Sequence, residues 1–255
     1  MTIPRQSYII CATPRSGSHL LAGGLSSTAA CGFPVERFPR VLSGAKPTAT
    51  QLDSWVTRAP DEVSYDHELD TAYIKEILEL GTTKNGVFGV TIHWFQLQDA
   101  IHRIGAYVGN KELSPSAMLS EALPNLSFIW LTRRDKVAQA VSWYKAIESG
   151  NYVKRRDYHE TSATAEIPFD FKRISAYLSA LKSSDNGWKY FFKQADVRPL
   201  LIEYEVLVNN YRDTINTVLN FLQIDTKNLI IDEPKYQKLA DDQSREWIEK
   251  FKTMS

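Results

Sequence analysis

Cysteine is nearly missing from this chain: Cys11 and Cys31 are its two examples in 255 residues. Two thiols with no repeated spacing around them exclude a disulfide framework and a cysteine-based metal centre, and they point to a reducing compartment. Long hydrophobic runs are missing too. Arg5 is followed by a short apolar stretch, Tyr8 to Ala12, before Pro14 and Arg15. A secretory signal needs an apolar region of roughly 7–15 residues, and a membrane span needs about 20. The expectation is a cytoplasmic protein without a membrane span. Net charge is also lacking, since 30 basic residues balance 30 acidic ones. That balance removes the broad attraction to a polyanion on which nucleic-acid binding depends, and leaves room for a small anionic ligand in a local basic pocket. Twelve glycines and eleven prolines are too few for a low-complexity chain, and 11% aromatic residues are too many for a disordered one.

What is present is an alternation of short apolar runs with segments of helical period. The runs are Tyr8 to Ala12, Val87 to Ile92, Phe128 to Leu131 and Leu200 to Ile202. They lack in/out alternation, as parallel strands buried on both faces do. Leu21, Gly24, Leu25 and Thr28 repeat at helical spacing, as do Val137, Ala140, Val141 and Tyr144. Phe171, Ile174, Leu178 and Leu181 form a third helical series, and Tyr211, Ile215, Val218, Leu219 and Leu222 a fourth. The pattern predicts an α/β fold, a central parallel sheet flanked by helices. No repeat or linker divides the chain, so residues 1–255 read as a single domain. Segments 33–70 and 148–170 break the rhythm, as insertions that shape a cleft or an interface do.

The first chemical signal is Thr13-Pro14-Arg15-Ser16-Gly17-Ser18-His19-Leu20, where the first strand turns into the first helix. Such a turn directs backbone N–H groups and the positive helix end at one point, and glycine lets the backbone approach an anion closely. Arg15 adds a charge-assisted donor, and the hydroxyls of Ser16 and Ser18 suit helix capping and phosphate oxygens. The blander reading is a capped turn with Arg15 in solvent. A Walker A lysine is lacking, which argues against nucleoside triphosphate chemistry. The second signal is Arg133, at the carboxyl edge of the third strand, with Ser142 nine residues on in the following helix. Ligands of open α/β sheets bind at that edge. Here the blander reading pairs Arg133 with Asp135 and makes Ser142 a surface filler. Two anion sites on neighbouring loops favour a ligand with two separated phosphates.

These two loops, the strand end Leu201-Ile202-Glu203-Tyr204-Glu205 and the tail Ala240 to Trp247 together resemble the sulfotransferases that use 3′-phosphoadenosine-5′-phosphosulfate. Among those the likeness is to the bacterial trehalose 2-sulfotransferase type, in order from residue 6 to about 250. The resemblance implies a P-loop-like fold, residues 14–20 as the 5′-phosphosulfate loop, and Arg133 with Ser142 as the 3′-phosphate site. It implies that Glu36 occupies the place of the family's general base, with a homodimer carried over by analogy. The wider superfamily has its catalytic histidine at the position of His93, which makes His93 a rival base. Thr91 stands where the trehalose enzyme has lysine, and His19 where threonine is usual.

The implied reaction is in-line sulfuryl transfer to a hydroxyl of a small polar acceptor, a sugar or a hydroxylated secondary metabolite. The site residues would be Glu36, His93 and Arg15 for chemistry, and Arg15, Ser16, Gly17, Ser18, His19, Leu20, Arg133 and Ser142 for the donor. No metal is called for, because no His or carboxylate cluster has ligand spacing. The alternatives are a small-molecule kinase and a nucleotide-binding module without catalysis. A kinase should show a loop lysine and an acidic magnesium ligand, neither evident here. Trp94, Trp143 and Trp188 read as core, Lys154-Arg155-Arg156 as a solvated charge run, and Asp66-His67-Glu68 as surface.

Overall fold

A computed structural model of the chain describes residues 4–38, 66–110, 112–151, 167–235 and 241–254. Most of the two insertions, including Arg40 and Lys154-Arg155-Arg156, lies outside them.

The four apolar runs form four parallel strands: β1 (Gln6–Ala12), β2 (Val87–His93), β3 (Leu126–Thr132) and β4 (Leu200–Glu203). Their order across the sheet is β2-β1-β3-β4. The helices among the described residues are α1 (Ser18–Ser27), α2 (His67–Gly81), α3 (Leu97–Val108), α4 (Pro115–Ala122), α5 (Lys136–Ser149), α6 (Phe171–Gln194), α7 (Tyr204–Asn209), α8 (Tyr211–Phe221) and α9 (Asp242–Met254). A short 3₁₀ turn at Trp94–Gln96 follows β2.

The sheet is buried on both faces, which is why its strands carry no polar face. From β1, Ile9 and Cys11 point into a layer completed by α2, α3, α4 and the end of α6, where Trp188, Phe191 and Phe192 pack. Tyr8, Ile10 and Ala12 point the other way, onto Leu21 and Leu25 of α1 and Ile215, Val218 and Leu219 of α8. A third cluster joins α5, α6 and α9 through Trp143, Tyr144, Tyr177, Trp247 and Phe251. It sets the position of α5, the helix that carries Ser142. Trp143 and Trp188 are core residues, and Trp94 packs against the core partly buried. Asp66 is exposed and caps α2 by accepting from the Glu68 and Leu69 amides. No helix among the described residues is long and apolar enough to cross a membrane.

β1 lies between β2 and β3, with Ala12 beside His93 and Cys11 beside Trp130. The loops that follow these three strands therefore meet at one carboxyl edge of the sheet.

Candidate active site

The loop after β1 is a tight turn. Arg15 and Gly17 both have positive φ, 64° and 94°. Glycine is required at 17 for a second reason: a Cβ there would lie 2.8 Å from the Tyr204 ring. Gly17 opens α1, and no side chain caps that helix end. The sequence expectation that a serine hydroxyl caps it is not met. Ser16 is buried and its hydroxyl donates back to the Thr13 carbonyl at 2.7 Å, which closes the turn. The first amides of α1 thus keep their positive field for a ligand.

The turn is pinned from behind by distant residues. The Trp188 indole donates to the Ala12 carbonyl at 2.9 Å. The Gln139 amide, on α5, donates to the Thr13 hydroxyl at 3.0 Å and to the Pro14 carbonyl at 2.7 Å. Local sequence gave no sign of these anchors, because each acts across more than a hundred residues.

Arg15, Arg133 and Ser142 come together. The Arg15 Nε donates to Ser142 Oγ at 3.1 Å, and Arg133 Nη1 donates to the Arg15 carbonyl at 3.3 Å. Arg133 is not paired with Asp135 as a solvated cap. Asp135 caps α5 through the Ala138 amide, while the Arg133 guanidinium stacks on the Tyr204 ring, 4.5 Å from its centroid. Burial pulls Arg133 below its ordinary pKa, against the opposing effects of Tyr204, Asp135 and Glu205. A partly desolvated guanidinium of this kind gains more from an arriving anion than an exposed one. Tyr204 opens α7, and beside it the Glu205 carboxylate accepts from the Arg134 and Asp135 amides, which follow Arg133 in the chain. Burial pushes the Glu205 pKa up, but those amides hold it below the usual carboxylate value.

The rival bases are one pair. Glu36 Oε1 and His93 Nε2 are 2.8 Å apart. The His93 side chain is 4% exposed and that of Glu36 14%, so the carboxylate is the member nearer solvent. Residues 34–36 lie parallel to β2, with the Thr91 amide donating to the Val35 carbonyl at 3.2 Å and a bridge between Glu36 and Thr91. Thr91, where the resembled enzymes carry lysine, is buried and its hydroxyl donates to the Pro34 carbonyl at 2.6 Å. On the other side of Glu36, the Gln96 side chain accepts from the His93 amide and donates to the Phe38 carbonyl. The Arg37 guanidinium turns away to the Leu80 carbonyl. Gly32, at φ 66°, lets this segment leave α1: a Cβ there would lie 2.5 Å from the Gly89 backbone nitrogen. Gln96, Gln139 and Trp188 are the anchors that sequence reasoning missed or assigned only to core.

His19 and Leu20 lie in the first turn of α1, partly buried, directly after the loop. Among the described residues no group of three or more His, Cys, Asp or Glu could hold a metal.

The arrangement offers an anion-binding helix end, two arginines and a hydroxyl at one edge, with a carboxylate–imidazole pair on the adjoining strand. The chain is similar to known proteins over nearly its whole length. The family model described as Stf0 sulphotransferase matches residues 7–254. A trehalose 2-sulfotransferase of Mycolicibacterium smegmatis is 28% identical, over 96% of this chain and 94% of that protein. One from Mycobacterium tuberculosis is 25% identical, again over 96% and 94%. The sulfotransferase domain of the Synechococcus PCC 7002 olefin synthase has a similar fold, with a TM-score of 0.50 at 14% identity over 100% of this chain and 90% of that one.

Proposed function

The chain belongs to the Stf0 sulphotransferase family, and from that premise we propose that it moves a sulfuryl group from 3′-phosphoadenosine-5′-phosphosulfate to a hydroxyl of a small polyhydroxylated acceptor. Sulfuryl transfer comes with the family; the donor, the acceptor class and the residue roles are our reading. The observation that carries the donor assignment is the convergence of Arg15, Arg133 and Ser142 through the 3.1 Å and 3.3 Å hydrogen bonds beside an uncapped helix start. A nucleotide with anionic groups on both the 3′ and the 5′ oxygens of its ribose matches two such loops.

In this reading the amides of Gly17, Ser18 and His19 together with Arg15 hold the 5′-phosphosulfate, since the Ser16 and Leu20 amides close the turn on Thr13 and Gly17, and Arg133 and Ser142 hold the 3′-phosphate. Glu36 takes the proton of the acceptor hydroxyl as its oxygen bonds to sulfur. The bond between sulfur and the bridging oxygen breaks, and that oxygen leaves on adenosine 3′,5′-bisphosphate. By analogy with phosphoryl transfer the transition state is loose, so the protein's main work is positioning and stabilising charge on the leaving oxygen. Arg15 and the helix end serve that task without a metal. A well-placed base adds about 10²–10⁴-fold. His93 stands behind the carboxylate rather than on the acceptor, because its Nε2 is already on Glu36 and its ring is almost fully buried.

The relatives named as trehalose 2-sulfotransferases support a sugar as the acceptor class. Thr91, in place of the lysine of the resembled enzymes, argues for a sugar or sugar-like alcohol other than trehalose itself. Segments 33–70 and 148–170 of a single-domain chain would shape the acceptor cleft. The buried thiols suit the cytoplasm, the balanced charge suits a small acceptor rather than nucleic acid, and a homodimer is carried over by analogy.

Calorimetric titration with adenosine 3′,5′-bisphosphate, and separately with ATP and magnesium, tests the donor. The parent should bind the bisphosphate without metal, and Arg15→Ala and Arg133→Ala should each lose about 1.5–3 kcal/mol of that binding, one charge-assisted contact. Folded variants that bind like the parent would overturn the two-site donor. Bisphosphate release screened across sugars, phenols, amines and hydroxylated natural products tests the acceptor, and turnover confined to simple phenols or protein tyrosine would overturn it.

A further inference from the structure

Residues 136, 139 and 142 lie three apart on α5, so their side chains form one stripe along the helix. Ser142 meets Arg15 at one end of the stripe. In the middle, Gln139 is fully buried and both N–H donors of its amide are used, on the Thr13 hydroxyl and the Pro14 carbonyl. Its Oε1 accepts from the Lys136 ammonium at 3.1 Å. Lys136 also donates to Thr132 Oγ1 at 3.3 Å, at the end of β3, and is ion-paired with Asp185 of α6. The amide can face only one way: its oxygen must meet the ammonium and its nitrogen the loop. The chain Asp185–Lys136–Gln139 therefore ties the loop after β1 to the helix after β3 from the side away from solvent.

We propose that Gln139, oriented by Lys136 and Asp185, is a positioning residue that fixes the distance between the two phosphate-facing loops and so sets the preference for a nucleotide phosphorylated at both 3′ and 5′ over one phosphorylated at 5′ alone. This rests on the donor reading above. A ligand that bridges two sites gains from the second only when their separation matches its own length. An error of about 1 Å in such a match is enough to remove most of the gain. Loosening the stripe should leave each loop able to hold one phosphate while weakening the simultaneous grip on two.

The test is calorimetric titration of the parent and of Gln139→Leu, similar in volume but unable to hydrogen-bond, with adenosine 3′,5′-bisphosphate and with adenosine 5′-phosphate. The bisphosphate Kd should rise about tenfold or more and the monophosphate Kd about twofold, with the donor KM raised and the acceptor KM unchanged. Lost fold stability alone would not move the ratio of two affinities measured on folded protein. Should Gln139→Leu fail to fold, Asp185→Asn, isosteric and on α6, should lower the preference in the same direction by a smaller factor. Variants that keep the parent's preference, or that weaken both ligands equally, overturn the proposal alone. A parent with no preference for the bisphosphate overturns the donor reading and the proposal together.

Discussion

The loop at 13–17 and the segment at 34–38 flank the same helix, α1, and are held by opposite means. The loop is a closed turn whose shape comes from its own residues, Arg15 and Gly17 at positive φ and Ser16 bonded back to Thr13. Its position comes from far away, from Gln139 and Trp188. The 34–38 segment has the reverse logic. It is extended, takes its position from pairing with β2, and sets the Glu36 carboxylate against the His93 imidazole. A turn fixed on several sides suits a ligand part that must not move, and a strand extension suits a group that meets variable acceptors. Damage to one region should therefore leave the other's task intact.

The largest break in that comparison should come from Glu36. Glu36→Gln should lower kcat at least about 10²-fold. His93→Asn should cost less, and because it acts through the carboxylate its effect should vanish when Glu36 is already glutamine. Steady-state kinetics of the two single variants and the double variant check this. A double variant whose losses multiply, or a His93→Asn enzyme that is dead while Glu36→Gln stays active, would reverse the assignment.

A smaller effect should separate position from chemistry on the loop side. Trp188→Phe keeps an aromatic ring in the core but removes the donor to the Ala12 carbonyl. It should cost about 1–3 kcal/mol for a buried carbonyl left unpaired, seen as a lower midpoint in thermal or urea unfolding. Bisphosphate affinity should fall with it, while the pH dependence of kcat, which in the proposed mechanism follows the Glu36 pair, should not move.

The smallest effect concerns the base of α9. Burial raises the Asp241 pKa, but hydrogen bonds from the Lys145 ammonium, the Ser244 hydroxyl and the Ser244 amide outweigh it and bring it to about 2, against an ordinary 3.8. A carboxyl depressed on folding contributes stability that is present above its unfolded value and lost as pH falls through the folded one. The docking of α9 on α5 should weaken between pH 3.8 and about 2, and Asp241→Asn should flatten that dependence. Tryptophan fluorescence, with Trp247 beside Tyr144, reads it.

The strands were legible in the sequence because a strand buried on both faces must be a continuous apolar run. The α1, α5, α6 and α8 helices were legible from their period. Helices α2, α3, α4, α7 and α9 were not identified, although Asp66 before α2 and Ser114-Pro115 at the start of α4 are start signals that would have found two of them. In the site, the motif around Gly17 and the edge position of Arg133 were legible because they are local. The Glu36–His93 contact was not, since two residues 57 apart meet only through the register of a strand and its extension. Gln96, Gln139 and Lys136 escaped for the same reason: nothing in their own neighbourhoods distinguishes a buried anchor from a polar surface residue.

Binding of adenosine 3′,5′-bisphosphate to Glu36→Gln, measured by calorimetry beside Arg133→Ala, tests the division of labour most directly. The account predicts that Glu36→Gln binds the bisphosphate as the parent does while having lost turnover, and that Arg133→Ala binds it at least about tenfold more weakly. A Glu36→Gln protein that loses as much bisphosphate affinity as Arg133→Ala would show that the two regions form one binding surface, and would contradict it.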